Sequence, residues 1–211
     1  AQRLVTKENL AVKKPASISH EAAATLPVAG VTAWQGLVQK GRLKPGQTVF
    51  VNGANGGVGQ AVVQVAKALG ASVTGRVGPH SLSDAKAMGM DAVLDYTQKI
   101  PQNLNNTFDI VFDCNGGLAP SEGDALTRPG GVVVDINPTA YKFIRSLYSR
   151  RHKFFFGAQR IEILQTIAEL AGSGKLKISI GRTAKLEDAI ALITDLEAGR
   201  RPQGKAVILM T

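Results

Sequence analysis

The sequence predicts a doubly wound α/β domain, a parallel sheet with helices on both faces, and three observations carry that expectation. Short β-branched runs bounded by turn residues recur along the chain, helical segments separate them, and a glycine-rich turn joins the first run to the next helix. With 211 residues, 44% of them hydrophobic, the chain can bury an ordinary core without disulfides or metal.

Residues Gln2 to Val12 read as extended. Two helical segments follow, His20 to Leu26 with Ser19 as N-cap, and Gly30 to Lys40 ended by Gly41. After the turn Lys44-Pro45-Gly46, Thr48 to Val51 is the first buried strand, and Gly56, Gly57 and Gly59 lead into a helix from Gln60 to Leu69 closed by Gly70. The alternation continues with strand Ser72 to Gly75, helix Ser83 to Met88 closed by Gly89, strand Ala92 to Asp95, strand Asp109 to Asp113, a helix near Ser121 to Thr127, and strand Val132 to Ile136. Crossovers of this length keep consecutive strands parallel. Pro101, Asn103, Asn105 and Asn106 mark a surface excursion between the third and fourth strands. Beyond Pro138 come a basic aromatic segment, Tyr141 to Phe156, and a helix from Arg160 to Ala171 ended by Gly172. Lys185 to Ala198 then reads as a helix, Gly199 to Gly204 as a connector, and Lys205 to Met210 as a strand that needs an edge to pair with.

Composition narrows the function classes. No apolar stretch approaches the roughly 20 residues that span a bilayer, and the first residues show no secretory signal, so a soluble, cytoplasmic protein without a membrane partner is expected. The single cysteine, Cys114, excludes an internal disulfide and fits a reducing compartment; it ends a buried strand without a matched histidine and reads as inert core. Lys and Arg exceed Asp and Glu by 25 to 16, and the excess gathers at Lys142, Arg145, Arg150, Arg151, Lys153 and Arg160. No nucleic-acid-binding fold accompanies that charge, which therefore reads as solvated surface or as a mouth attracting an anionic cofactor. His20, His80 and His152 lack ligand spacing, so no metal is expected.

The sharpest signal is Val49-Phe50-Val51-Asn52-Gly53-Ala54-Asn55-Gly56-Gly57-Val58-Gly59 ahead of a helix. Ala54, Gly56 and Gly59 occupy the three small-residue positions of the dinucleotide fingerprint. A tight turn, an approach of bare backbone to a diphosphate and a close helix–strand contact each need a small residue there, and the helix start supplies amides and dipole to the anion. An NAD site ends its second strand with an acid that binds the adenine-side ribose. Here the strand ends Val73-Thr74-Gly75-Arg76; no acid is present, and Arg76 with His80 is expected to neutralise a 2′-phosphate, which predicts NADPH. Tyr96, closing the third strand, is read either as lining the adenine-ribose side or as a surface tyrosine. Asp113 and Asp135, at strand ends facing the crevice, are read either as cofactor contacts or as caps.

Together with that cradle, Ala22-Ala23-Ala24-Thr25-Leu26-Pro27-Val28-Ala29-Gly30-Val31-Thr32-Ala33, Leu43 to Val49, Met88 to Tyr96, Pro129-Gly130-Gly131 and Gly204-Lys205-Ala206-Val207 make the chain resemble a medium-chain dehydrogenase/reductase of the zinc-independent, quinone oxidoreductase-like branch. The resemblance implies a Rossmann domain with terminal remnants of a GroES-like catalytic domain: residues 1–19 a remnant, 20–180 the dinucleotide-binding domain, 181–211 the segment returning to the catalytic domain. It implies NADP(H) with Thr32 beside the nicotinamide, Gly56 to Gly59 on the diphosphate, Gly78 and Tyr96 on the 2′-phosphate, and Asn137 near the nicotinamide ribose. Leu82 stands where relatives offer a lysine to the phosphate, and Val28 stands where zinc-dependent relatives carry a ligand. The implied activity is NADPH-dependent hydride transfer to a quinone or an enone. The catalytic residues are unassigned and this chain alone is expected to be inactive. A homodimer through the sheet edge is a further expectation of the resemblance.

Three rivals stay open at this point. A short-chain dehydrogenase also fits Gly53, Gly57 and Gly59, but its Tyr-x-x-x-Lys is not found, since Tyr141 leads to Arg145 and Tyr148 to His152. The others are a non-catalytic NADP-binding module and an enoyl-reductase module of a larger synthase.

Overall fold

In a computed structural model describing residues 5–137, 139, 144, 147–155, 157, 160–200 and 202–210, with Lys86 described by its backbone alone, the β-branched runs assemble into one six-stranded sheet. Its strands are β1 (Thr48–Asn52), β2 (Ser72–Val77), β3 (Ala92–Asp95), β4 (Phe108–Asp113), β5 (Thr127–Asp135) and β6 (His152–Phe154). They run parallel in the order β3-β2-β1-β4-β5-β6, the doubly wound arrangement the alternation predicts.

Both faces of the sheet are apolar because successive side chains leave a strand on opposite sides. Val49, Val51, Ile110 and Phe112 join the cluster built with α1 (His20–Trp34), α2 (Gly57–Ala68) and α5 (Ile161–Gly172). Phe50, Phe108 and Val111 take the other face with Leu126 of α4 (Pro120–Leu126), the rings of Phe50 and Phe108 lying 5.3 Å apart. Between these helices α3 spans Leu82–Ala87, entered through a 3-10 turn at Pro79–Ser81.

The first helix departs from the expectation. The two segments His20 to Leu26 and Gly30 to Lys40 are one helix through Pro27, continued by a π-helical stretch Gln35–Lys40. Pro27 is exposed, whereas Thr25, Leu26, Ala29, Gly30, Val31 and Ala33 are buried, so one packed face runs unbroken past the proline and outweighs the lost hydrogen bond. Ser19 caps the helix as expected, its hydroxyl accepting from Ala22 N–H at 3.1 Å.

The last strands also differ. β7 (Ile180–Lys185) and β8 (Lys205–Leu209) pair parallel as a separate two-stranded sheet, and α6 (Ala189–Glu197) lies between them in sequence. The helix expected from Lys185 therefore starts only at Ala189, after a 3-10 turn at Leu186–Asp188, because residues 180–185 supply the edge that β8 needs. At the other end, Glu8–Leu10 form a 3-10 turn and no strand occurs among the described residues 5–19; Gln2 lies outside them. β6 lies within the segment read as merely basic and aromatic, of which Tyr141, Lys142, Arg145 and Phe156 lie outside the described residues, as does Pro138. β5 starts at Thr127 rather than Val132, with a register shift opposite Phe108/Ile110. No helix of the described residues is long and apolar enough to cross a membrane.

Strand order reverses on either side of β1 and β4, and Asn52 and Asp113, paired in register, end those strands together. A doubly wound sheet binds its ligand in the crevice beyond such a pair of strand ends.

Candidate cofactor site

Beyond Asn52 the chain turns at Gly53, whose φ of +80° suits glycine. The amides of Gly53 and Ala54 both donate to the carbonyl of Arg76, at 3.0 and 3.1 Å, which pins the loop to β2. Gly56 N–H then donates to Gly53 O at 3.2 Å, and α2 begins at Gly57 with Gly56 as N-cap and no side chain among the described residues capping it. The first amides of a helix have no intrahelical acceptor, so this end is open to an anion.

The glycines differ in what they make room for. A Cβ on Gly59 would lie 2.1 Å from Gly53 O, so there the helix presses on the loop. A Cβ on Gly56 would meet nothing nearer than Gly53 O at 3.5 Å: the space above it is free, and bare backbone faces it. Gly57 is covered by the aliphatic stem of Lys205, and Gly56 forms a β-bridge with Gly204. A cleft of about 860 Å³ follows, lined by Asn55, Gly56, Gly57, Val58 and Gly59 and by Lys205. Ala54 is fully buried beneath it. Of the remaining expected residues, His80 and Asn137 line the cleft, while Thr32, Arg76, Gly78 and Tyr96 do not.

Beyond the ends of β2 and β3, Gly78 and Tyr96 adjoin, a Cβ on Gly78 lying 3.0 Å from the Tyr96 ring. Arg76 is more committed than the sequence implies. Its Nη2 donates to the carbonyls of Tyr96 and Gln98 at 3.0 and 3.2 Å and its Nε is buried without a partner, while His80 lines the cleft itself. Leu82 packs against the core, and Asn55 Nδ2 donates to Ser81 Oγ at 2.9 Å, tying the glycine-rich loop to the turn after β2.

At the opposite end the strand-end acids hold loops. Asp113 accepts from Asn52 Nδ2 at 2.9 Å, from the amides of Gly116 and Leu118 at 3.0 Å and from that of Asn115 at 3.3 Å. Asp135 accepts from Asn137 N–H at 2.8 Å, and Asn137 Nδ2 reaches Asn115 O at 3.3 Å. Of the two readings of Asp113 and Asp135, these bonds favour the cap. Burial, then the charges of Asp113 and Asp135, push the Cys114 thiol well above its ordinary range, which leaves it protonated and a poor nucleophile.

Ser81 and Asn115 line the cleft and were not singled out from sequence, and Lys205, quoted only within a motif, lines it too. The Gly204-Lys205 pair is legible as a motif, but nothing local places it over Gly57. Among the described residues no group of three or more His, Cys, Asp or Glu could hold a metal ion.

Comparison with known proteins identifies the family. The family described as zinc-binding dehydrogenase matches residues 88–208. The chain is 32% identical over 215 residues to the chloroplast envelope quinone oxidoreductase homolog of Arabidopsis thaliana, covering 92% of this chain and 65% of that one. It is 32% identical over 222 residues to the mycoketide-CoA synthase of Mycobacterium tuberculosis, covering 97% of this chain and 5% of the synthase. A solved NAD-dependent alcohol dehydrogenase superposes with a TM-score of 0.79 at 31% identity, over 95% of this chain and 62% of that one. This chain thus spans less than two thirds of these relatives. It belongs to the zinc-binding dehydrogenase family, in the quinone oxidoreductase-like branch of the medium-chain dehydrogenase/reductases, a family of nicotinamide-dependent oxidoreductases.

Proposed function

We propose that this chain holds NADPH with its diphosphate over Gly56–Gly59, and that the whole protein is an NADPH-dependent reductase of quinones or of enones. The observation that carries the reading is the free space above Gly56 at an uncapped helix start, which any side chain would fill. The residues fit the group. Gly57 and Val58 would offer amides to the diphosphate and Lys205, which lies across Gly57, a cation. Gly78, without a Cβ, leaves the 2′-phosphate room beside Tyr96, and His80 would meet its charge. Asn137, held by Asp135 and by Asn115 O, would orient the nicotinamide ribose, with Thr32 beside the ring.

When bound, the reduced nicotinamide supplies a hydride to the acceptor. The chain's own part is to fix both ends of the dinucleotide, through the Arg76 carbonyl that anchors the phosphate loop and the Asp113 carboxylate that anchors the loop after β4. In this reading residues 1–19 and 181–211 belong with a catalytic domain, residues 20–180 bind the cofactor, and the chain alone turns over little. A homodimer and a cytoplasmic location are part of the same proposal. A second reading, an enoyl-reductase module of a synthase, is favoured by the match to a small part of mycoketide-CoA synthase.

Calorimetric titration of NADPH and NADH into this chain tests the cofactor, with NADPH binding more tightly; equal affinities would remove the phosphate argument. Reduction of quinone and enone substrates by the whole protein tests the activity.

A further inference from the structure

Gln60 stands in the first turn of α2, only 1% exposed, and uses both ends of its amide. Its Nε2 donates to Asn55 O at 2.9 Å, and its Oε1 accepts from Ser179 N–H at 2.9 Å. One partner only accepts and the other only donates, which determines the amide orientation. The bond to Asn55 O fixes the planar peptide that delivers Gly56 to the cradle. Ser179 in turn accepts at its own carbonyl from Lys205 N–H at 2.8 Å. Gly204 allows this, since with φ +88° its missing Cβ would lie 2.1 Å from Ser179 O. One buried side chain therefore joins the Asn55–Gly56 peptide to the strand that carries Lys205 across Gly57.

We propose that Gln60 is a positioning residue for the cofactor diphosphate, setting the Asn55–Gly56 peptide and the register of Lys205 against one another; the proposal rests on the dinucleotide reading above. Gln64, one turn further along α2, provides the internal control. It accepts from Lys177 N–H at 2.8 Å, donates to Lys177 O at 2.8 Å and to the Gln60 carbonyl at 3.1 Å, so it ties α2 to the same passing segment through helix backbone rather than through Asn55. If tying helix to segment were the whole role of these glutamines, the two would be interchangeable.

Gln60→Met keeps the shape and leaves Asn55 O and Ser179 N–H without their partner. Calorimetric titration of the 211-residue chain is expected to show Gln60→Met binding NADPH and NADH each about tenfold more weakly, with adenosine 2′-monophosphate, which lacks the diphosphate, unchanged. Gln64→Met should stay within about twofold of wild type for all three ligands. Should Gln60→Met not fold, Gln60→Asn carries the same expectation, since its amide stays neutral but is one methylene too short to reach both Asn55 O and Ser179 N–H. Unchanged NADPH affinity in Gln60→Met, equal weakening of all three ligands, or an equal loss in Gln64→Met would overturn the proposal alone. A wild-type chain that binds neither dinucleotide would overturn the underlying reading as well.

Discussion

Lys205 lies across Gly57, so close that a Cβ built on that glycine would meet Lys205 Cε at 2.6 Å and Cδ at 2.9 Å. The first residue of a helix and a residue near the C-terminus thereby share one patch of surface at the positive end of the α2 dipole. A cation held against other partial positive charges is unfavourable until an anion lies between them, which is the arrangement a diphosphate completes.

Lys205→Ala should therefore weaken NADPH binding about five- to tenfold and flatten its salt dependence, with little change in stability because the stem is partly solvated. Calorimetry at two ionic strengths checks it. An unaltered salt slope would show that the ammonium does not face the ligand.

Gly59→Ala is expected to damage the fold itself. Its Cβ would lie 2.1 Å from Gly53 O and 2.7 Å from Ala54 Cα, both backbone atoms that cannot rotate aside. A loss of about 3 kcal/mol, read from the urea midpoint, is predicted together with loss of dinucleotide binding.

Cofactor choice should turn on Gly78. In Gly78→Asp the new Cβ approaches the Tyr96 ring at 3.0 Å and a carboxylate enters the space assigned to the 2′-phosphate. NADPH affinity should fall at least about tenfold while NADH is much less affected, as parallel titrations would show.

Asp91 gives the fold an acid-sensitive tie. The hydrogen bond from Val73 N–H, at 2.6 Å, and then the Lys67 ammonium, at 2.9 Å, hold its carboxyl below the ordinary value near 3.8. A lowered folded pKa stabilises the fold above the unfolded value, and that contribution disappears as pH falls through the folded one. Asp91→Asn should flatten the acid limb of the stability curve below about pH 5. Near neutrality it should cost about 1 kcal/mol at most, since a carboxylate 49% exposed is screened by solvent.

How much was legible in the sequence follows the range of each interaction. The strand–glycine–helix run from Val49 to Gly59 is local, and strand and turn lie where that run places them, with the helix starting at Gly57 rather than at Gln60. Pro27 misleads because its cost is local while the burial that overrides it comes from α2 and α5. β6 has three residues, too few for any periodicity, and β7 is recognised only through its pairing with β8. The contacts that complete the candidate site are the least local of all: Gln60 meets Ser179 across 119 positions of sequence. Arg76 illustrates the same limit, since its residue type suggested a phosphate ligand and its neighbours show a side chain engaged with two carbonyls.

The most direct test of the cradle is NADPH titration of Gly56→Ala beside the wild-type chain, with the unfolding midpoint of each. A Cβ there meets no atom nearer than 3.5 Å, so stability should stay within about 1 kcal/mol of wild type while NADPH binds at least about tenfold more weakly. Wild-type affinity in a stably folded Gly56→Ala would contradict the placement of the diphosphate over this loop.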